Sequence, residues 1–251
     1  MASISRFAAV SDIHGNLPAL EAVISHMADA EIRHVVNLGD NLSGPLWPVE
    51  TGERLMALGW PGIAGNHERQ VLTIPRERQG ASDAFASDQL NEGHRDWLRL
   101  LPPTRWLSTE VFCCHGTPSR DDAYWLHRGR RGEMREATDA EVAADAVPWP
   151  LALCGHTHLP RVVDLADRRL VANPGSIGFP AYQDDLPSYH ASETGEPHAR
   201  YLIAKRSGEG WTVRLQAVDY DFERAAQRAE RNGRAKWARA LRTGHMPKKQ
   251  A

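Results

Sequence analysis

The sequence predicts an α/β fold with parallel strands at its centre, on three observations. Six short apolar runs, each closed by a cluster of Gly, Asp, Asn or His, read as buried strands. The first two flank an amphipathic stretch of helical length, which makes a βαβ unit and so implies a parallel pairing. At 251 residues the chain is long enough to bury a full core as one undivided domain.

The expected strands are "FAAV" (7–10), "HVVNL" (34–38), "GIA" (62–64), "EVFCC" (110–114), "LALC" (151–154) and "RLVA" (169–172). Between the first two lies "NLPALEAVISHMADA". There Asn16 is placed to cap a helix, Pro18 falls in its first turn, and Leu20, Val23, Ile24 and Met27 share one face. A second helix is expected over 82–101, stopped by Pro102-Pro103. Thr138 and Glu141 stand in capping-box register for a third. "HARYLIAKRSGEGWTVRLQAVDY" alternates on both sides of Ser-Gly-Glu-Gly, as a hairpin does. One C-terminal helix is expected over about 221–242, with Phe222, Ala226, Ala229, Trp237 and Leu241 in a stripe. Its arginine-rich outer face reads as solvated, because no nucleic-acid-binding motif accompanies it. No repeat or low-complexity linker divides the chain, so 1–251 is read as a single domain.

Composition narrows the function classes. A formal net charge of -2 gives no electrostatic reason to expect a nucleic-acid duplex or a membrane surface as partner. Three cysteines, an odd and small number, fit a reducing compartment; adjacent Cys113 and Cys114 read as buried packing. The opening "MASISRFAAVSD" meets a polar turn before a secretory core forms, and no apolar run approaches bilayer length. The expectation is a cytoplasmic protein, and its 12 histidines direct attention to metals.

The chemistry is carried by the residues that close the strands. "SDIHGN" supplies Asp12 and His14, "LGDN" Asp40, "AGNHE" Asn66 and His67, "CCHGT" His115, and "CGHTH" His156 and His158. Residues at the carboxyl ends of sheet strands converge in space even when remote in sequence. Taken alone each turn is weak, and a lone His14 would be read as structural. Five successive strand ends offering only oxygen and imidazole donors make coincidence the poorer account. On an extended segment residues i and i+2 point the same way, so Asp12/His14 and His156/His158 are each expected to straddle a metal centre. Seven ligands exceed one tetrahedral ion and suit two.

The set Asp12-x-His14, Gly39-Asp40, Gly65-Asn66-His67-Glu68, His115-Gly116 and Gly155-His156-Thr157-His158 resembles the calcineurin-like metallophosphoesterases, in their order, from about residue 6 to residue 178. "NPGSIG" (173–178) is similar to the branch of small bacterial and archaeal phosphodiesterases. The resemblance, with the strand count, implies an αββα four-layer sandwich of two mixed sheets flanked by helices. It implies that Asp12, His14 and His158 hold one metal and Asn66, His115 and His156 the second, with Asp40 bridging. His67 would bind no metal and face the substrate as the catalytic acid. Glu68 is expected as an exposed salt-bridging side chain.

The function so implied is that of a metal-dependent hydrolase of phosphate esters, a phosphodiesterase on small esters or nucleotides, using a metal-bridging hydroxide as nucleophile. Two divalent ions bring four charges; Asp12, Asp40 and the hydroxide cancel three, and the remainder suits an anionic ester. Mixed imidazole and oxygen ligation fits Mn, Fe, Ni, Co or Zn better than Mg or Ca. Two other readings keep the same fold. A protein phosphatase or dinucleoside polyphosphate hydrolase would continue the second motif to Asp-Arg-Gly, where this chain has Leu42-Ser43-Gly44. A non-catalytic scaffold, as in the small subunit of retromer, would have eroded ligands, whereas all eight positions stand here. The arginine-rich 124–136 segment, with Arg128, Arg130, Arg131 and Arg135, reads either as a phosphate-gripping flap or as a solvated loop.

Overall fold

In the computed structural model, which describes residues 4–130, 132–185 and 188–248, two mixed sheets carry the strand-end turns. β1 (Arg6–Val10) pairs in parallel with β2 (Val35–Asn37) across α1 (Leu17–Asp29), the expected βαβ unit. Asn16 caps α1 by accepting from Ala19 N at 3.3 Å. α2 (Pro48–Leu58), α3 (Asn66–Thr73), α4 (Ala81–Ser87) and α5 (Glu92–Arg99) come next. They lead to β3 (Thr104–Ser108) and β4 (Val111–Cys114), and then to a small hairpin of β5 (His127–Arg130) and β6 (Glu133–Glu136). α6 (Asp139–Ala144) precedes β7 (Leu151–Leu153), β8 (Arg161–Asp164) and β9 (Leu170–Asn173). A second small hairpin, β10 (Ala181–Asp184) and β11 (His190–Glu193), comes before the long hairpin of β12 (Ala199–Ser207) and β13 (Gly210–Val218). α7 (Phe222–Arg231) and α8 (Ala235–Thr243) close the described chain.

One sheet runs β13-β12-β1-β2 and the other β3-β4-β7-β9-β8. The first holds one parallel pair, β1–β2, with β2 at the edge and antiparallel β12 and β13 on the other side; the second holds a parallel centre, β4–β7–β9, with antiparallel β3 and β8 outside. Phe7, Ala9, Val36 and Leu38 of the first sheet pack against Val111, Cys113, Leu151 and Leu153 of the second as one buried layer. The outer face of the first sheet packs on α1, through Leu20, Val23 and Met27. The outer face of the second is covered by Trp125, Leu126 and, from α6, Val142. That is the four-layer αββα arrangement. Among the described residues no helix is long and apolar enough to cross a membrane.

Three expected elements differ. The segment 62–64 makes only a single parallel bridge, Gly62 to Asn37, because Ala64 N turns away to donate to Pro102 O. The helix expected over 82–101 is two, α4 and α5, since Asn91 caps the second by accepting from His94 N at 3.0 Å. The C-terminal helix is likewise broken at Gly233, whose φ of +72° lies in the left-handed region that favours glycine. α7 and α8 therefore fold back on each other, burying Ala225, Ala229, Trp237 and Leu241 against Leu46, Phe179 and Ala181.

Candidate metal centre

The side chains expected to carry chemistry meet where the parallel strands of both sheets end. Asp12 and His14 follow β1, Asp40 follows β2, Asn66 and His67 open α3, His115 follows β4, and His156 and His158 follow β7. Two groups result. Donor atoms of Asp12, His14 and His158 lie within 4.8 Å of one another, and so do those of Asp40, His115 and His156. The groups adjoin: His115 Nε2 is 3.0 Å from Asp40 Oδ2 and 3.8 Å from Asp12 Oδ1, and His158 Nε2 is 3.3 Å from Asp12 Oδ1. Asn66 opens on the same cavity.

The extended-strand account of the two-apart spacing is corrected by the backbone. Asp12, His14, Asp40, His156 and His158 have φ of 54°, 51°, 57°, 68° and 59°, all left-handed. This splits the last pair, His156 joining Asp40 and His158 joining Asp12. Each such non-glycine residue costs roughly 1–2 kcal/mol, although Asp and His tolerate the region better than most. Interlocked turns hold them there. Asp12 N donates to Gly39 O (3.0 Å) and His14 N to Asp40 O (3.0 Å), while Gly178 N donates to Asp12 O (3.0 Å). Ser176 Oγ donates to Asp12 O (2.7 Å) and Asn173 Nδ2 to Gly155 O (2.6 Å), so "NPGSIG" braces two ligand turns. A Cβ on Gly65 would overlap Asp40 Oδ1, and one on Gly155 would overlap Ser11 Oγ, which fixes both as glycine.

The imidazoles are set in one tautomer by their neighbours. His14 Nδ1 lies 2.7 Å from Ser43 O, His115 Nδ1 2.7 Å from Leu38 O, and His158 Nδ1 2.6 Å from Phe179 O. A carbonyl only accepts, so each Nδ1 carries the hydrogen and each Nε2 lone pair is turned inward. Two of these, on His14 and His158, face each other at 3.1 Å. His115 Nε2, Asp12 Oδ1 and Asn66 Oδ1 are buried with no hydrogen-bond partner. A buried donor set that repels itself is completed by cations. Without them protons stand in. Burial works against a charge on His115, yet Asp40 and Asp12 raise its pKa to about 10. Burial and the neighbouring His158 push His14 down to about 3. Burial raises the carboxyl of Asp12, but His158 and His115 outweigh it and hold the group at about 2.

His67 stands apart from both groups. Its side chain is 27% exposed and lines the cavity, and Nδ1 donates to Asp83 Oδ1 at 2.7 Å, which leaves Nε2 uncommitted. Burial opposes its charge, but Asp40 and Asp83 raise its pKa to about 9. Asp83, on α4, also accepts from Ser43 Oγ at 2.6 Å. No spacing in the sequence singled out Asp83, because only the folding of α4 over the centre brings it near. Glu68 is not the exposed side chain expected. It is 2% exposed and accepts from Asp40 N (2.8 Å), Asn41 N (2.8 Å) and Gly65 N (2.7 Å), stapling two ligand turns together. Burial and the nearby Asp40 push its carboxyl up. Tyr182 is a further residue that no motif marked: its OH lies 2.9 Å from Tyr124 OH and 3.2 Å from His156 O, with one hydrogen to give.

The centre is the floor of a cavity of about 1090 Å³. Among the described residues of the arginine-rich segment, none lines it. Arg128 Nη1 donates to the carbonyls of Tyr124, Trp125 and His127, and Arg135 pairs with Glu141 at 2.6 Å; Arg131 lies outside the described residues. His190 is buried against Tyr124, and His198 pairs with Asp219. The three cysteines are buried packing, and burial pushes their thiols up, Cys113 to about 12. The cavity's basic residues come instead from the C-terminal corner: Arg234, Lys236 and Lys248. Trp237 fixes that corner, stacked on Phe179 with centroids 3.6 Å apart and edge-on to His14 at 6.0 Å.

Comparison with known proteins gives a consistent placement. A model of the calcineurin-like phosphoesterase superfamily domain matches residues 6–195. An uncharacterized protein of Methanocaldococcus jannaschii is 23% identical, over 93% of this chain and 95% of its own. A metallophosphoesterase from Sphaerobacter thermophilus superposes with a TM-score of 0.73 at 22% identity, covering 97% of this chain and all of its own. A hypothetical protein from Pyrococcus horikoshii does so with a TM-score of 0.74 at 18% identity and the same coverage. These structural likenesses establish the shared fold.

Proposed function

This chain belongs to the calcineurin-like phosphoesterase superfamily, and on that premise we propose that it hydrolyses phosphodiesters of small molecules or nucleotides with two divalent transition-metal ions. The observation that carries the reading is the pair of adjoining donor groups with their Nε2 lone pairs turned inward. The residues fit the ions: three buried donor atoms lack any partner, and none of the donors is a thiolate, which leaves Mn, Fe, Co, Ni or Zn. Asp12, His14 and His158 would hold one ion, and Asn66, His115 and His156 the other. Asp40 would be shared; its Oδ1 already accepts from His67 N at 3.0 Å, which leaves Oδ2.

When bound, such a pair acidifies water and clamps the attacking and leaving oxygens of an in-line displacement. The chain's own residues do the rest. Asn66, a neutral ligand, fills a coordination position without reducing the positive charge that attracts the ester. Asp83 orients His67 and stabilises its proton, so that Nε2–H can be delivered to the leaving oxygen. Glu68 fixes the Asp40 and Gly65 turns against each other. The substrate is read as a small ester, with neither a nucleic-acid duplex nor a membrane as partner.

Stripping the protein with chelator, reloading it with Mn²⁺ and counting ions by mass spectrometry tests the metal half; about two per chain are expected. Comparing bis-p-nitrophenyl phosphate, p-nitrophenyl phosphate and 2′,3′-cyclic nucleotides tests the chemistry, with the diesters expected to turn over faster. Less than one ion per chain, or no hydrolysis of any of these esters, would sink the proposal.

A further inference from the structure

Several arginines of this molecule have a carboxylate beside them. Arg69 pairs with Asp121, Arg135 with Glu141, and Arg242 with Glu223 and Glu230. Arg234 differs. It is half-buried at the break between α7 and α8, and its one hydrogen bond runs from Nη2 to Ser82 Oγ at 3.1 Å. Among the described residues no carboxylate pairs with it, and burial, with nothing to offset it, pulls its guanidinium below the usual arginine range. It lines the same cavity as His14, Asp40 and His67.

Burying a guanidinium without a counter-charge is costly, and a ligand anion removes that cost. Two ions held on the floor would already carry the positive charge that the scissile phosphoryl group needs, so a further cation lining the cavity is surplus to that group. Lys236 and Lys248 line the cavity as well. The corner is held in register with the floor, because Trp237 packs on Phe179 and His14. It also lies beyond residues 6–195, the part matched to the superfamily.

We propose that the cavity accepts a phosphate ester carrying a second phosphoryl group, and that Arg234 is the specificity-determining residue that binds it. This rests on the phosphodiesterase reading and names its substrate class. The guanidinium presents a planar fork that matches two phosphoryl oxygens, which a lysine ammonium does not reproduce.

The test compares two diesters that differ only in that group, the dinucleotide ApA and its 5′-phosphorylated form pApA. Binding to chelator-treated protein is measured by calorimetry, and inhibition of bis-p-nitrophenyl phosphate hydrolysis is measured on the Mn²⁺-loaded protein. The terminal phosphate is expected to tighten binding about tenfold or more. Arg234→Ala should bring the pApA/ApA ratio close to one, and Arg234→Lys should keep part of it. Equal affinity of the two ligands in the wild-type protein overturns the proposal, as does a ratio that survives Arg234→Ala or the failure of both to bind. Should Arg234→Ala not fold, the wild-type ratio and Arg234→Lys still decide. Failure of the hydrolase reading would show separately, as Mn²⁺-loaded wild-type protein that leaves bis-p-nitrophenyl phosphate intact.

Discussion

The floor of the cavity and its C-terminal wall handle charge in different ways. On the floor most donors are buried: three imidazole Nδ1 atoms are tied to carbonyls, five residues are held in left-handed backbone, and Glu68 staples the turns. On the wall Arg234 and Lys236 sit at a helical corner held by apolar packing, with Trp237 stacked on Phe179. The floor tolerates almost no rearrangement, as two adjoining ions would require, because donors misplaced by an ångström no longer coordinate. The wall needs only to present charge at the right height. Catalysis and selection are thus assigned to parts of the chain with very different structural constraint.

Breaking the floor should have the largest effect. Asp40→Ala removes the shared carboxylate and is expected to leave less than one ion per chain by mass spectrometry. Loss of several kcal/mol of charge stabilisation corresponds to roughly a 10³-fold fall in kcat. Wild-type metal content and rate in that variant would erase the distinction between floor and wall.

His67 lies between the two regions, and its removal is expected to separate chemistry from metal binding. His67→Ala should lose about 10²–10³-fold in kcat while both ions stay, because its Nδ1 is committed to Asp83 and not to the metal groups. Full turnover would take His67 out of the mechanism, and loss of metal would place it on the floor.

A smaller effect is expected from Asn66→Asp. The new carboxylate still reaches an ion but cancels charge, so metal content should hold while KM for bis-p-nitrophenyl phosphate rises several-fold, on the order of a single screened charge interaction. Unchanged KM together with unchanged metal content would contradict the role given to the neutral amide.

The least effect is expected away from the cavity. Arg135 belongs to the arginine-rich hairpin and is engaged with Glu141 on the surface. Arg135→Ala should leave kcat, KM and ion count where they are. A rise in KM there would mean that the hairpin, and not the C-terminal corner, reaches the substrate.

The floor was legible because its donors come in short motifs, each directly after a strand: "SDIHGN", "LGDN", "AGNHE", "CCHGT" and "CGHTH". Strand ends converge by topology, so their residues can be gathered without coordinates. Glu68 and Asp83 were not legible as supports. Glu68 looks like any helix-opening acid, and its burial arises only once the Asp40 turn folds over it. Asp83 lies 16 residues beyond His67, in a stretch whose periodicity reads equally as one helix or as the two observed.

By itself the sequence determined the α/β class, the parallel centre and the set of metal-seeking side chains, since each depends on local pattern: apolar runs, turn residues, donors at strand ends. The tertiary structure alone decided which basic residues line the cavity, and how His156 and His158 part company. Pairing and desolvation are properties of neighbours in space, and a backbone turned left-handed by interlocking loops leaves no mark on residue spacing.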